Sequence, residues 1–554
     1  MQLSTLAKRA WLLLFIGIAA FYFWGLGFLP LVGPDEPRYA EVAREMLARR
    51  DFITPTLGGL PWFEKPPLLY WMMMLSYSVL GVNEYAARIG TAACGLLTAV
   101  FVYWLGNSIG KTREAKHGSE SDSAIGRWVA LVWLSSLGAI GFSRGATFDI
   151  VLTMTIAGAL TCFFVNEVST RGASNKVQRQ TLLLIGFYVF AGLSLLAKGL
   201  IGFVIIFGVI TLYPVIRREW PRRSFVTSLI WGVPLALAVA GIWYGPMIAK
   251  HGWTFINQFF VQHHFARFVT NKYHHPGPFY FYLPVLVGLA LPWTIVLGAS
   301  LISTRRWRWQ GTSGLDRLRV FALVWLIVPL VFFSFSGSKL GGYILPGLPP
   351  VAVLVGERIV CWYREQRGQR ALRLTGILLL VVVLAAIWYT HRRLHLNFAV
   401  TGLSAVTLIA TGALAIVRPQ LRGKLFLAIS IVTVLTAGIA LRLVAPAMAR
   451  SQSVRDLLAT ANARGFSNIP IVQLHTIERS AEFYGSGRIT YGTDGEPVKF
   501  EGAWQVADAA RRNHGMVLCL VPADLASQLK TLPQLKVELI ADNGRVVLVL
   551  VQVK

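Results

Sequence analysis

Charge is scarce in this chain. Asp, Glu, Lys and Arg make up 14% of its 554 residues, 55% are hydrophobic, and the mean hydropathy is +0.56. Soluble domains carry about 25% charged residues, so the composition excludes a soluble globular fold and fits an integral membrane protein. Cysteine is nearly absent too. Cys94, Cys162 and Cys361 lie in or at the ends of apolar stretches, and Cys519 stands alone near the C-terminal end. No CxxC pair occurs, which excludes a disulfide framework and a cysteine-ligated metal site. Acid is scarcer than base, 26 residues against 53, for a net charge of +27. The bases are spread among loops instead of forming one stripe, which argues against a nucleic-acid surface. There is no phosphate loop, no dinucleotide fingerprint, no repeat of fixed period and no low-complexity linker. A phosphate donor for such a chain is expected to be linked to lipid, not to a nucleotide.

What is present is length in apolar runs. About thirteen stretches approach the roughly 20 residues that cross a bilayer as a helix. They fall near residues 9–29, 84–109, 125–142, 147–166, 181–197, 199–215, 225–246, 280–302, 317–336, 343–362, 372–390, 396–416 and 424–443, with the breaks at 197–199 and 337–343 the least marked. Lys8 and Arg9 precede the first, which outruns the roughly 7–15 apolar residues of a signal peptide and is expected to stay as a span. Alternate short loops hold KTREAK, RGASNKVQR, IRREWPRR, TRRWRW, YREQRGQRALR and VRPQLRGK. Basic loops face the cytoplasm, so the N-terminus is expected there and, for an odd number of spans, the C-terminus opposite.

Three segments interrupt the rhythm, all on the outer side in this topology: residues 30–83, residues 247–279 and the tail from about 447. In the first, Tyr39, Val42, Ala43, Met46 and Leu47 share one helical face, and Glu41, Arg44, Glu45 and Arg49 the other. Such a helix is expected to lie flat on the membrane surface. The tail mixes helical patterns (SVRDLLATANARG, WQVADAARRNHG) with strand patterns (IPIVQLH, MVLCLV) and ends in a hairpin signal, LKVELIA and GRVVLVLVQV. The expected fold is an all-α polytopic membrane domain, residues 1–446, followed by a small α/β domain, residues 447–554.

Charges cluster in the outer segments. Asp35, Glu36 and Arg38 follow the first span directly; Asp35 could serve as a helix cap, although two carboxylates and a guanidinium exceed what a cap requires. Glu64 and Lys65 stand between aromatics and two prolines in PWFEKPPLLYW, either as a surface ion pair or as a phosphate contact at headgroup depth. Asp149 opens an uninterrupted apolar helix and must face a vestibule or a protein partner, Arg144 being one candidate. Lys198 and Lys339 lie at two further outer turns, where snorkelling is the plain alternative, and Tyr343 follows Lys339 closely. HHFARF offers His263, His264 and Arg267, and a divalent metal, if bound, is expected on Glu64 and His264.

At these residues the sequence resembles the undecaprenyl-phosphate 4-amino-4-deoxy-L-arabinose transferases that modify lipid A, GT-C glycosyltransferases related to the protein mannosyltransferases. PDEPRYAEVAREML, GLPWFEKPPLLYW, the Asp149 segment, LLAKGLIGF, HHFARF, LPW and KLGGYILP occur in that family's order across the membrane region. The resemblance implies a transferase of the bacterial inner membrane with a polyprenyl-phosphate sugar donor, a lipid A acceptor and a site on the periplasmic face. It implies that Asp35 and Asp149 are essential carboxylates. It also implies that Lys65, Arg267 and Tyr343 bind phosphate, with Arg38 and Glu64 beside them. The chain departs from the family at His263, where glutamate is usual, at Gly341-Gly342-Tyr343, where Pro-x-Tyr is usual, and at Trp62. No role carries over to the tail. Two other functions suit the residues: glycosylation of a protein or glycan hydroxyl, for which Asp35 offers a general base, and secondary transport. Charges gathered at one face, with no internal repeat, argue against transport.

Overall fold

The computed structural model describes residues 2–109, 122–168, 176–266, 277–394, 398–493 and 495–554. Its contacts divide the chain into two compact units. The first comprises Met1–Trp24, Glu64–Leu69 and Arg88–Ile439; the second comprises Gly25–Phe63, Tyr70–Ala87 and Ala440–Lys554.

The first unit is helical, and the chain is a multi-pass membrane protein. Among the described residues nine helices are long and apolar enough to cross a membrane, and eleven spans result if each of two bent pairs counts as one. Gln2–Phe23 and Phe398–Val417 add the two remaining expected stretches as helices that fall partly outside the described side chains. Two of the expected spans are broken. The stretch 125–142 bends by 62° between Ala124–Ser135 and Leu137–Ser143, where the Leu137 amide donates to Leu291 O at 2.9 Å in place of its own helix. The stretch 280–302 bends by 120° between Phe279–Leu289 and Thr294–Arg306. Pro292 lies in that break, where it offers no amide and bars its neighbour from helical geometry. The two faint sequence boundaries are both real. Gly199, at φ +69, ends one helix at Lys198 and starts the next at Leu200, a conformation that costs glycine little.

At the centre of this unit is Phe148–Val168, 94% of whose apolar window is buried inside the protein. A helix apolar all round has no lipid-facing side to lose, so it can be enclosed completely.

The second unit holds a five-stranded sheet. Its strands are β3 (Ile471–Leu474), β4 (Lys499–Phe500), β5 (Met516–Pro522), β6 (Leu535–Asp542) and β7 (Val546–Val553), after a two-stranded ribbon of β1 (Thr56–Leu57) and β2 (Leu60–Pro61). The sheet order is β4-β3-β5-β7-β6, with β3 parallel to β4 and β5, and β7 antiparallel to β5 and β6. Side chains alternate between two cores, as a period of two requires. Val517, Cys519 and Val521 meet Val506 and Ala510 of helix Ala503–Arg512, while Leu518 and Leu520 meet Leu457, Leu458 and Ala461 of helix Arg455–Ala463.

Helix Asp35–Arg49 belongs to this unit and departs from the sequence expectation. Tyr39, Val42, Ala43 and Met46 are buried as its pattern requires, but Glu41 on the polar face is buried as well, at 4% exposure. Arg44 donates to Phe483 O at 3.0 Å and to Ser486 Oγ at 3.2 Å. Most of the polar face, all but the exposed Arg49, is therefore covered by protein and does not lie bare on a membrane surface.

Candidate functional site

In the first unit the helical hairpin of Phe148–Val168 and Lys176–Lys198 places the start of one helix beside the end of the other. Asp149 occupies the first turn, where the helix dipole favours an anion, and Lys198 the last turn, where it favours a cation. The two side chains form an ion pair, 17% and 9% exposed. The Lys198 ammonium lies 4.4 Å from the ring centroid of Tyr343, a cation–π contact. Tyr343 comes from the 3-10 turn Gly341–Gly347 and packs on Phe333, centroids 5.5 Å apart. Gly342 is required for this approach, because a Cβ there would fall 2.4 Å from an Asp149 carboxylate oxygen.

Burial and pairing alone do not mark a site. Arg319 with Glu357 and Arg217 with Glu219 are also partly or fully buried pairs in this unit. Arg319 also lies over an aromatic ring, that of Trp307, so the Asp149–Lys198 pair differs in having a glycine backbone against the anion.

The other expected residues of this unit separate into distinct settings. Arg144 does not pair with Asp149. Its guanidinium donates to Phe21 O at 2.8 Å and Trp24 O at 2.5 Å and lies over the Phe21 ring, so it caps the first helix. The Lys339 ammonium donates to Ser336 O at 2.6 Å. Lys65 and Glu64 form an ion pair at 3.3 Å, both side chains largely buried, rather than an exposed surface pair. Arg267 and the side chains of His263 and His264 lie outside the described residues. Among the described residues no three His, Cys, Asp or Glu side chains are grouped to hold a metal ion. Tyr282 drew no attention in the sequence, being one aromatic among many in FYFYLP. It is fully buried and packs on Phe333, centroids 5.9 Å apart, the same ring that Tyr343 packs on.

In the second unit, Asp35 is the first residue of helix Asp35–Arg49 and makes no cap of its own. Its carboxylate accepts from Arg38 Nη2 at 2.7 Å, and Arg38 Nε donates to Pro34 O at 2.7 Å. Glu36 closes the helix start by accepting from the Val32 amide at 3.0 Å. Asp35 remains 47% exposed and Arg38 13%. The Arg38 guanidinium lies over the Trp62 ring, 5.4 Å from its centroid.

Residues 9–255 match the family model of the dolichyl-phosphate-mannose-protein mannosyltransferases. The chain is 32% identical to an undecaprenyl phosphate-alpha-4-amino-4-deoxy-L-arabinose arabinosyl transferase of Sodalis glossinidius, over 65% of this chain and 60% of that protein. It is 31% identical to the corresponding transferase of Serratia proteamaculans, over 69% and 65%. The match therefore spans less than two thirds of the length of these relatives. The crystal structure of ArnT from Cupriavidus metallidurans bound to undecaprenyl phosphate superposes with a TM-score of 0.77 over 98% of each chain, at 21% identity. The apo form of that protein gives 0.76 at 22% identity. The chain shares the fold of that ArnT and is similar in sequence to the undecaprenyl-phosphate aminoarabinose transferases.

Proposed function

We propose that this protein is a glycosyltransferase that moves 4-amino-4-deoxy-L-arabinose from undecaprenyl phosphate to a phosphate of lipid A. The reaction would take place on the periplasmic face of the inner membrane, with the N-terminus cytoplasmic and the C-terminal domain periplasmic. The observation that carries this reading is the buried Asp149–Lys198 pair beneath Tyr343 in a chain related to such transferases. An acceptor phosphate oxygen attacks the anomeric carbon while the bond to the polyprenyl phosphate breaks. A phosphate monoester has its second pKa near 6 and is already nucleophilic at neutral pH, so the acceptor needs no general base. The carboxylates are then available to hold the cationic amine of the sugar, the role assigned to Asp35 and Asp149. Lys65, Lys198, Arg267, Lys339 and Arg38 are the cations assigned to phosphate, where they offset the charge that develops on the leaving group. Glu64 orients Lys65. Tyr343 offers its phenol to the same anion.

Mass spectrometry of lipid A from cells with and without the protein tests this. A gain of one aminopentose is expected. Unchanged lipid A beside an altered glycoprotein would instead assign a hydroxyl acceptor.

A further inference from the structure

Arg38 is held by groups far from it in sequence. β1 and β2 are joined by Gly58 and Gly59, at φ +62 and +77, the positive values of a two-residue hairpin turn. Glu45 grips that turn: Oε1 accepts from the Gly58 amide at 2.6 Å, and Oε2 accepts from the Gly59 amide at 3.1 Å and the Thr56 hydroxyl at 2.5 Å. Trp62 follows β2 directly and supplies the ring over Arg38. The turn is pressed from its other side by the α/β domain, since a Cβ on Gly58 would lie 2.2 Å from the Tyr491 ring.

Tyr491 is fixed in turn. Its phenol donates to Glu482 Oε2 at 3.1 Å, and Glu482 Oε1 accepts from Arg479 at 3.1 Å. Glu482 is only 2% exposed and within electrostatic reach of Arg38. Two further bonds tie the same stretch to the segment before helix Asp35–Arg49 and to Glu84. The Leu31 amide donates to Tyr484 Oη at 2.8 Å, and the Tyr484 hydroxyl donates to Glu84 Oε1 at 2.9 Å. Arg44 reaches Phe483 and Ser486 as described above.

We propose that residues 480–491 of the C-terminal domain orient Arg38 for the donor phosphate, and that Tyr491 is the positioning residue through which they act, by seating the Gly58 turn and hence Trp62. The proposal rests on the reading that Arg38 meets the phosphate of a polyprenyl donor, and it gives the domain a part in the reaction. A guanidinium binds phosphate through a planar fork, so a rotation about its stem costs contact even where its charge stays in place.

The test uses the full chain in nanodiscs and undecaprenyl phosphate alone as the probe, so that no sugar or acceptor has to be known. Affinity is measured for the wild type, Tyr491→Phe, Tyr491→Ala, Arg38→Gln and the double variant Tyr491→Ala/Arg38→Gln, with thermal unfolding recorded for each. Tyr491→Ala is expected to weaken binding on the order of tenfold, as for one oriented charged contact. Tyr491→Phe keeps the ring on Gly58 and is expected to bind as the wild type does. In the Arg38→Gln background the alanine substitution is expected to cost nothing more, because its effect passes through Arg38. Should Tyr491→Ala not fold, Tyr491→Leu takes its place in the same cycle. Equal losses in both backgrounds, or full affinity in the Tyr491 variant, overturn the positioning role and leave the transferase reading standing. Full affinity in Arg38→Gln overturns the assignment of Arg38 to the phosphate, and this proposal with it.

Discussion

A single side chain decides which cation serves Asp149. The sequence offers Arg144, five residues away, and Lys198, 49 residues away, and proximity along the chain favours the wrong one. Helix geometry resolves it. Arg144 ends a short helix and finds carbonyls of the first span, whereas antiparallel packing of two helices of similar length returns Lys198 to the level of Asp149. The chemistry of each residue was legible from its type and place at a span end; the partner was not, because pairing depends on which carbonyls a neighbouring helix leaves bare. Breaking a buried pair strands a charge and costs about 3–5 kcal/mol. Asp149→Asn and Lys198→Met are each expected to lower stability on that scale, and the double variant by less than the sum. Thermal unfolding of the four proteins in one detergent checks this, and a strictly additive double variant would mean the two groups are not coupled.

Helix Asp35–Arg49 shows what an amphipathic pattern can and cannot tell. Its apolar stripe was read correctly, down to Tyr39, Val42, Ala43 and Met46. Its charged stripe was assigned to the membrane surface because a charged face ordinarily marks water or headgroups, and nothing local signals that Phe483, Ser486 and the Gly58 turn will cover it. The cover has an electrostatic price. Burial pushes the Glu41 carboxyl up to about 7, with Arg44 opposing the rise and Glu45 and Glu482 adding to it. Tyr77 also lies in range of Glu41, and Glu482 is itself raised by burial. An acid whose folded pKa exceeds its unfolded value takes up protons on folding between the two. Stability is therefore expected to fall as pH rises from about 4.5 to about 7, by a few kcal/mol at most, and to level off above. Glu41→Gln is expected to flatten that decline. Thermal midpoints of both proteins from pH 4.5 to 8 measure it, and parallel curves would assign the pH dependence elsewhere.

For the molecule as a whole, apolar length and charge content were enough for a polytopic helical chain, and strand periodicity was enough for the tail. LKVELIA and GRVVLVLVQV form the antiparallel pair β6 and β7. The bends in 125–142 and 280–302 were not legible, since hydropathy averages over a break of a few residues. Nor did a linear reading show that residues 25–63 and 70–87 pack with the tail, because contacts between distant segments leave no periodic trace. The distribution of loop lysines and arginines predicts which side the tail occupies. A reporter enzyme active only in the periplasm, fused after Lys554, is expected to be active. Silence there, with a cytoplasmic reporter active instead, would reverse the proposed orientation and the face on which transfer occurs.

The enclosed helix Phe148–Val168 also constrains the order of assembly. It leaves the ribosome before Lys198 and before the helices from Leu200 onward that wall it in. Until those arrive, its only protein neighbours are the earlier spans, and its remaining surface rests against lipid. During that interval Asp149 has no lysine partner at the helix end. Synthesis of the next 49 residues brings the ammonium that pairs with it. The site's first charged pair is thus also a timer: it closes only when the helical hairpin is complete.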